Sequence, residues 1–308
     1  MMEGIVSKGH KRLADLMKEK KLLSFEVFPP KTEMGEKKLK ETLSRLSAFL
    51  PDYISCTYGA GGSNVGKNLE VLHFIEEAGE NIRAVTHFTC QGNTKESAKR
   101  QLDDYLSQGV STILALRGDI PKGENRISGD FAYATDLVDF IKKEYKDTFE
   151  IAVSGSPEGH IECKSLEEDI LYLKQKEELG ADYIMTQLTF DMEQFKRWLD
   201  AIRKAGVTMP VDVGVMPVLK KEAVLNMCLS RNACAIPRKL AEIFSHSWFT
   251  EDEKGNELLE VRKRFREEGI AYTVNQIKEY RTLGVNGIHL YTLNAWQDCA
   301  EILDRAGI

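Results

Sequence analysis

Leu22-Leu23-Ser24-Phe25-Glu26-Val27-Phe28-Pro29-Pro30 is the stretch that decides the fold. Apolar, aromatic and β-branched residues fill it, and two prolines, which have no N–H to donate to a neighbouring strand, end it. It therefore predicts a buried β-strand. Glu26 is the exception, because a buried ionised carboxylate is costly unless it is paired or protonated. Burial raises a carboxyl pKa, so we expect Glu26 to be a neutral acid near pH 7. The alternative is that Glu26 points to solvent from an edge strand.

From this strand onward, short apolar runs alternate with helical patterns. Leu39, Leu43, Leu46 and Leu50 are spaced as on one face of a helix. Seven further strands are predicted, each followed by a helix: Tyr53–Thr57, Ile82–Thr89, Val110–Leu116, Phe149–Val153, Tyr183–Leu188, Val211–Val215 and Gly287–Thr292. Residues 216–286, of mostly helical pattern, separate the last two strands.

Repeated β-then-α units imply a parallel sheet. Eight such units in 308 residues fit an α/β fold of the closed (β/α)8 type, the TIM barrel. We therefore predict one barrel domain over residues 1–308, with residues 1–20 as an N-terminal helical extension. An extra helical segment is expected between strands seven and eight. A doubly wound open sheet is the structural alternative.

Composition and charge exclude several classes of function. The formal net charge of −6 leaves no basic excess to neutralise phosphates, which argues against nucleic-acid binding. The six cysteines form no CxxC pair and no cluster at metal spacing, so we predict reduced thiols and no metal site. The charged N-terminus lacks the apolar core of a signal peptide. No apolar run approaches the roughly 20 residues of a membrane span, so we expect a cytoplasmic protein without a membrane partner.

Polar residues stand at the carboxyl ends of seven predicted strands, where a (β/α)8 barrel builds its active site. They are Glu26, Thr57, His87, Asp119, Ser154, Ser156, Gln187, Tyr291 and Asn294. Each alone is more simply a capping or turn residue. Their recurrence at one edge of the barrel indicates a shared site.

Two further motifs have plainer explanations. Residues 61–68, GGSNVGKN, nearly match the phosphate loop GxxxxGK[ST]. Asn68 stands where a hydroxyl would hold magnesium, so a P-loop NTPase is disfavoured, and the glycines instead allow backbone to approach a flat ligand. His160 in SPEGH supports nothing by itself, since a lone histidine is usually a surface or core residue.

Eight motifs occur in order along the chain: SFEVFPP, TYGAGGS, THFTC, LRGD, YATDL, PEGH, TQLTFD and YTLN. With them the sequence resembles the methylenetetrahydrofolate reductase family over essentially its whole length. LRGD together with FE-x-FPP and TQ-x-x-FD is the specific part. The resemblance implies a barrel that holds FAD, takes hydride from NADH or NADPH and passes it to 5,10-methylenetetrahydrofolate. The product, 5-methyltetrahydrofolate, would serve methionine biosynthesis, and we expect a homo-oligomer.

The resemblance also implies roles for single residues. Glu26 would be the general acid that protonates the folate N10, Asp119 would face the pterin and tune the flavin, and Gln187 would hydrogen-bond the pterin. Thr57 would contact both substrate and cofactor. Positions matching the flavin site are Thr57, Tyr58, Ala60, His87, Arg117, Gly118, Asp119, Tyr133, Ala134, Ser156 and His160.

One predicted helical face adds three residues to this set. Asp169, Tyr172 and Lys176 lie at i, i+3 and i+7 in the helix after strand five, so one face can meet the adenosine and pyrophosphate of the cofactor. An ordinary solvated face is the alternative for this triplet.

Three positions depart from the family pattern. Ser156 stands where an aromatic residue commonly precedes PEGH, Ala295 where an Arg often follows YTLN, and Ala223 where a Gln is frequent. These departures would affect how tightly the chain binds the flavin and the folate tail. The competing hypothesis from another class is a non-catalytic or corrinoid-linked folate-binding barrel, which would need neither Glu26 nor a flavin.

Overall fold

Eight parallel strands close into a barrel in a computed structural model that describes residues 11–58, 65–120, 123–124, 126–229, 234–246 and 259–308. Each strand pairs with the next, and the last pairs with the first. The strands are β1 (Leu22–Val27), β2 (Tyr53–Cys56), β3 (Arg83–Thr89), β4 (Thr112–Leu116), β5 (Glu150–Gly155), β6 (Tyr183–Thr186), β7 (Val211–Val215) and β8 (Gly287–Tyr291). This closure confirms the predicted (β/α)8 barrel and excludes the open sheet.

Eleven α-helices lie within the described ranges. They are α1 (Leu13–Glu19), α2 (Glu33–Leu46), α3 (Val65–Glu77), α4 (Lys95–Ser107), α5 (Ala134–Tyr145), α6 (Leu166–Glu178), α7 (Met192–Lys204), α8 (Lys221–Cys228), α9 (Arg238–Ser245), α10 (Leu259–Thr282) and α11 (Trp296–Ala306). The helices α8 to α10 confirm the extra helical segment between strands seven and eight. None of the helices described is long and apolar enough to cross a membrane.

The helix after β1 is shorter than its leucine spacing predicts. Leu39, Leu43 and Leu46 are buried on the inner face of α2, but Leu50 is exposed and adopts a left-handed conformation with φ 51°. Pro51 is the physical reason, since the residue before a proline is driven out of the α region. The expectation that Leu50 belongs to the helix face is therefore wrong.

Four strand ends also differ by one or two residues from the sequence-based bounds, and one of them is β8, which ends at Tyr291 instead of Thr292. β2 ends at Cys56 and β6 at Thr186, so Thr57 and Gln187 are the first residues after their strands. β5 runs to Gly155, so Ser154 lies within it instead of following it. The shifts leave all three side chains at the same end of the barrel.

Alternate residues of β1 face opposite sides of the sheet. Leu23, Phe25 and Val27 belong to the large apolar cluster that the strands share with the surrounding helices. Ser24 and Glu26, on the other face, therefore lie in the barrel interior. This excludes the edge-strand alternative for Glu26, because β1 pairs with both β2 and β8.

The helix α1 packs at the amino ends of the strands, under the barrel. Leu13, Ala14 and Met17 share a second apolar cluster with strand residues such as Leu22. The buried carboxylate of Glu150 accepts hydrogen bonds from the backbone N–H groups of Leu13 (3.0 Å) and Ala14 (2.7 Å). These N–H groups have no partner inside their own helix, so Glu150 caps α1.

Candidate active site

A cavity of about 870 Å³ lies at the carboxyl ends of the strands. It brings together fourteen of the predicted site residues: Thr57, Tyr58, His87, Arg117, Gly118, Asp119, Tyr133, Ala134, Ser156, His160, Asp169, Tyr172, Lys176 and Gln187. Ala60 lies outside the described residues. Glu26 is not among the residues that line the cavity. It contacts His87, which does line the cavity.

Glu26 lies between two histidines. Its Oε2 atom is 3.3 Å from Nε2 of His87 and 3.8 Å from Nε2 of His289, and its side chain is 21% exposed. His87 comes from β3 and His289 from β8, the strand paired with β1. Closure of the barrel therefore creates this contact, which local sequence does not.

The pKa of Glu26 is lowered, so the expectation of a neutral acid is wrong for this structure. Burial by itself raises the pKa, but the imidazoles of His289 and His87 outweigh it and hold the pKa at about 2. Glu26 is therefore a carboxylate paired with histidines. The linear sequence shows only that Glu26 lies in an apolar strand. Its partners His87 and His289 are 61 and 263 residues further along the chain (87 − 26 and 289 − 26).

Below Glu26 the barrel interior contains a buried polar network that sequence reasoning missed. His289 Nδ1 lies 2.8 Å from Ser24 Oγ, and Ser24 donates to Asp212 Oδ2 at 3.0 Å. The Tyr53 hydroxyl donates to the same Asp212 oxygen at 2.7 Å, and Ser55 Oγ lies 3.2 Å from His289 Nε2. The signal that could have found them is the one that singled out Glu26, a polar residue within an apolar strand.

The loop after β4 is held by an ion pair at the cavity wall. The Arg117 guanidinium donates to both carboxylate oxygens of Glu162, with Nη2 to Oε1 at 2.8 Å, and this contact raises the pKa of Arg117. Gly118 has φ 83°, in the left-handed region that favours glycine. The turn leaves Asp119 exposed at the cavity rim.

The predicted face of α6 borders the cavity. Lys176 Nζ donates to the Ser154 carbonyl at 3.3 Å, and burial lowers the pKa of Lys176 while Asp169 opposes that shift. Asp169 also accepts from the His160 backbone N–H at 3.3 Å, which ties the PEGH loop to α6. Tyr172 lies on the same face and is 45% exposed.

Other predicted residues have mainly structural contacts. Tyr58 is 3% exposed and its hydroxyl donates to Gln101. Asn68 is fully buried, donates to the Thr57 carbonyl at 3.2 Å and accepts from the Tyr105 hydroxyl at 3.1 Å. Asn68 thus holds β2 and α4 together, which is a structural reason for its place in the glycine-rich motif.

The three departures from the family pattern lie in different environments. Ser156 lines the cavity. Ala223 packs against the apolar cluster of α8 to α10. Ala295 is the N-cap residue of α11, without a side-chain cap, and its N–H donates to the Thr292 carbonyl at 2.8 Å.

Comparison of sequences gives a family match and relatives of known name. The family model described as "Methylenetetrahydrofolate reductase" matches residues 10–307. The chain is 34% identical over 300 residues to "Methylenetetrahydrofolate reductase (NADH) 1" of Arabidopsis thaliana, covering 92% of this chain and 48% of that protein. It is 32% identical over 286 residues to "5,10-methylenetetrahydrofolate reductase" of Escherichia coli K12, covering 93% and 90%. The chain thus spans about half the length of the plant relative.

Comparison of structures gives the barrel fold. An uncharacterized protein from Clostridium thermocellum that binds two copies of 5-methyl-5,6,7,8-tetrahydrofolic acid superposes with a TM-score of 0.58 at 12% identity, over 95% of this chain and 96% of that one. An oxaloacetate acetylhydrolase gives a TM-score of 0.52 at 10% identity, over 97% and 84%. At such identities the likeness concerns the fold alone.

Proposed function

Because this chain belongs to the methylenetetrahydrofolate reductase family, we propose that it reduces 5,10-methylenetetrahydrofolate to 5-methyltetrahydrofolate, with bound FAD and a nicotinamide donor. One observation carries the proposal. The residues expected to bind cofactor and substrate come from the ends of β2 to β6, the start of α5 and one face of α6, yet those within the described ranges line one cavity. A half-buried acid group, Glu26, adjoins that cavity through His87.

The residues of the cavity fit a flavin dinucleotide. The cavity volume of about 870 Å³ is at the upper end of the range for ligand sites. Lys176 and the first turn of α5, which begins at Ala134, would hold the pyrophosphate, since ammonium groups and helix N-termini favour anions. Tyr133 and Tyr172, 62% and 45% exposed, offer aromatic surfaces to the adenine. When bound, the flavin supplies a two-electron carrier between the nicotinamide and the folate.

Glu26 would act on the folate as proton donor. The five-membered ring of the substrate opens more easily when its N10 nitrogen is protonated, because that amine is then a better leaving group. Opening leaves an electrophilic iminium at N5, which accepts the hydride. Asp119 and Gln187, at the ends of β4 and β6, would hold the pterin in place beside Glu26.

The electron donor is proposed from the relatives. The plant relatives carry NADH in their names, and we propose NADH in preference to NADPH for this chain. Steady-state rates with the two nucleotides at equal concentration test this choice. A higher kcat/KM with NADPH would reverse it.

The remaining parts of the proposal rest on the family resemblance. They are a role in methionine biosynthesis, a cytoplasmic location and a homo-oligomeric state. Size-exclusion chromatography with light scattering tests the last of these directly.

A folate-binding barrel without catalysis is the second candidate, favoured by the folate-bound protein that shares the fold. Binding alone gives no reason for a carboxylate held between two histidines in the barrel interior. The absorption spectrum of the purified protein discriminates the two hypotheses. Flavin bands at about 450 nm support the reductase, and a protein that neither contains nor takes up FAD supports the binding barrel.

The substitution Glu26→Gln tests the mechanism. It keeps size and hydrogen bonding but removes the titrating proton, and loss of a general acid costs about 10²–10⁴-fold in rate. We expect NADH to reduce the flavin of the variant near the wild-type rate. Its reoxidation by methylenetetrahydrofolate should be slower by roughly 10²-fold or more.

Stopped-flow absorbance of the flavin measures the two steps separately. Glu193→Gln, an exposed position in the first turn of α7, is the matched control and should leave both rates unchanged. Equal loss in both steps would show that Glu26 maintains the site instead of donating a proton. No loss in either would assign the proton to another residue.

A further inference from the structure

A line of polar side chains runs through the barrel interior towards Glu26. It begins at Asp212 on β7, passes through Ser24 on β1 to His289 on β8, and reaches Glu26 two residues further along β1. Asp212, Ser24 and His289 are all fully buried. Polar groups in such a place normally have a structural or chemical reason.

The Ser24 hydroxyl fixes the tautomer of His289. It has one proton, and the Asp212 carboxylate at 3.0 Å is the stronger acceptor, since the Ile288 carbonyl is uncharged and 3.4 Å away. With its proton on Asp212, the Ser24 oxygen accepts from His289 Nδ1–H at 2.8 Å. Nε2 is then the nitrogen of His289 that gains or loses a proton, and it lies 3.2 Å from Ser55 Oγ and 3.8 Å from Glu26 Oε2.

Two acidic side chains and two tyrosine rings surround His289. Asp212 and Glu26 place carboxyl groups on its two sides. Burial raises the pKa of Asp212, and His289 together with the hydrogen bonds from Tyr53 and Ser24 opposes that shift. The Tyr53 ring stacks on the imidazole with centroids 5.5 Å apart, and Tyr291 meets it edge-on at 5.8 Å.

The other ionisable neighbours of the acid group behave differently. Burial raises the pKa of Tyr53, of Tyr291 and of the Cys56 thiol, so these groups are neutral near pH 7. His87 is the second imidazole on Glu26, but its Nε2 makes no hydrogen bond within the described part of the chain. His289 is therefore the histidine whose orientation is set by a buried carboxylate.

We propose that Asp212, acting through Ser24, is a positioning residue that keeps a proton on Nδ1 of His289, so that His289 Nε2 and Glu26 share the proton consumed by the reaction. This deepens the proposed function and rests on it, since it assumes that Glu26 protonates the folate. Between turnovers the proton is on His289 Nε2 and Glu26 is ionised. A shift of about 1 Å brings the two groups into hydrogen-bond distance.

Each turnover then uses one proton. It passes from His289 Nε2 to the Glu26 carboxylate and from there to the folate N10. The bond between the methylene carbon and N10 breaks, and its electron pair remains on N10. Glu26 is again a carboxylate, His289 is neutral, and a proton from solvent restores the charged imidazole.

The holoenzyme variant Asp212→Asn tests the relay, because it is nearly isosteric and removes the negative charge. We expect the reoxidation of the flavin by folate to lose rate at lower pH than in the wild type, with the alkaline limb of the pH profile moved by about one unit or more. The rate of reduction by NADH should not change. Ser24→Ala breaks the same link with a smaller side chain and carries the test if the asparagine variant fails to fold.

A second readout is independent of activity. ¹⁵N spectra of histidine-labelled protein, with the His289 signal assigned by His289→Gln, report which ring nitrogen carries the proton. The relay predicts that both ring nitrogens of His289 carry a proton in the resting wild type and that Nδ1 keeps its proton at the pH where Nε2 loses its own. In both variants the neutral ring should lose this preference for Nδ1. A wild type without that proton, or a pH profile unmoved in the variants, would overturn the relay. A wild type that NADH does not reduce would instead overturn the proposed function, while the spectra still test the tautomer.

Discussion

At the scale of single residues, Ser156 is the position where one side chain should change cofactor affinity. It lines the cavity where an aromatic residue is common in the family. An aromatic surface contributes roughly 0.5–1.5 kcal/mol beyond its buried area, so Ser156→Tyr should lower the FAD dissociation constant by about two- to tenfold. Fluorescence titration of the apoprotein measures it, with Ser156→Ala as control. An unchanged constant would show that the cofactor does not stack at this position.

Glu26 should also make stability depend on pH. Its pKa is about 2 in the folded protein against an ordinary value of 4.5, so its pairing with the histidines stabilises the fold above pH 4.5. That stabilisation is lost as the pH falls from 4.5 towards 2. We expect wild type to lose on the order of 1–3 kcal/mol more than Glu26→Gln over this window. Urea unfolding at several pH values measures this, and parallel curves for the two proteins would contradict it.

At the scale of elements, one carboxylate adds to the apolar contacts that attach α1 to the barrel. Glu150 accepts from two N–H groups of α1 and is 5% exposed. Glu150→Gln turns an amide N–H₂ towards one of these donors and should cost about 1.5–3 kcal/mol of unfolding free energy. Activity should be kept, because α1 and the cavity lie at opposite ends of the strands.

Glu167→Gln is the matched control for Glu150. It lies in the first turn of a helix, α6, whereas Glu150 lies in β5 and contacts the first turn of α1; Glu167 is exposed, so its substitution should change stability little. Chemical denaturation followed by circular dichroism compares the two variants. Equal losses of unfolding free energy in the two variants would mean that the Glu150 contact to α1 does not stabilise the fold more than an exposed glutamate does.

Every predicted strand is present, because apolar and β-branched runs report burial directly. The ends were less predictable. At Leu50 the leucine spacing continued the helix, whereas the proline after it fixed the end. At Ser154 the strand extends past the apolar run, because pairing with β6 continues to Gly155.

At the scale of the whole molecule, barrel closure should be required for folding. β8 pairs with both β7 and β1, so a chain that ends at Asn286 would leave two unpaired edges. We expect this truncated chain to show no cooperative thermal transition by circular dichroism. A chain that ends at Ala306, which keeps β8 and α11, is the control and should unfold cooperatively. A cooperative transition in the shorter chain would contradict the prediction.

The same closure explains which parts of the site the sequence could reveal. Residues at strand ends, such as Gln187 and Asp119, were predictable because a parallel barrel collects them at one edge. The partners of Glu26 were not, because contacts between β1, β3 and β8 depend on register and closure. His289 and Asp212 each lie within an apolar strand, and only the pairing of these strands with β1 brings both to Ser24.

The contact between Gly287 and Asp212 limits the order in which this sequence can change. The two residues are partners in the register of β7 and β8, and a Cβ on Gly287 would lie 2.7 Å from Asp212 Oδ1. A side chain at position 287 therefore requires that Asp212 first be replaced by a residue with a smaller side chain. Once such a change has occurred, an aspartate at 212 could not return without glycine at 287. Substitutions at the two positions should therefore be correlated among descendants of this sequence. Once the carboxylate at 212 is lost and a side chain is present at 287, the loss would not be reversed by a single substitution.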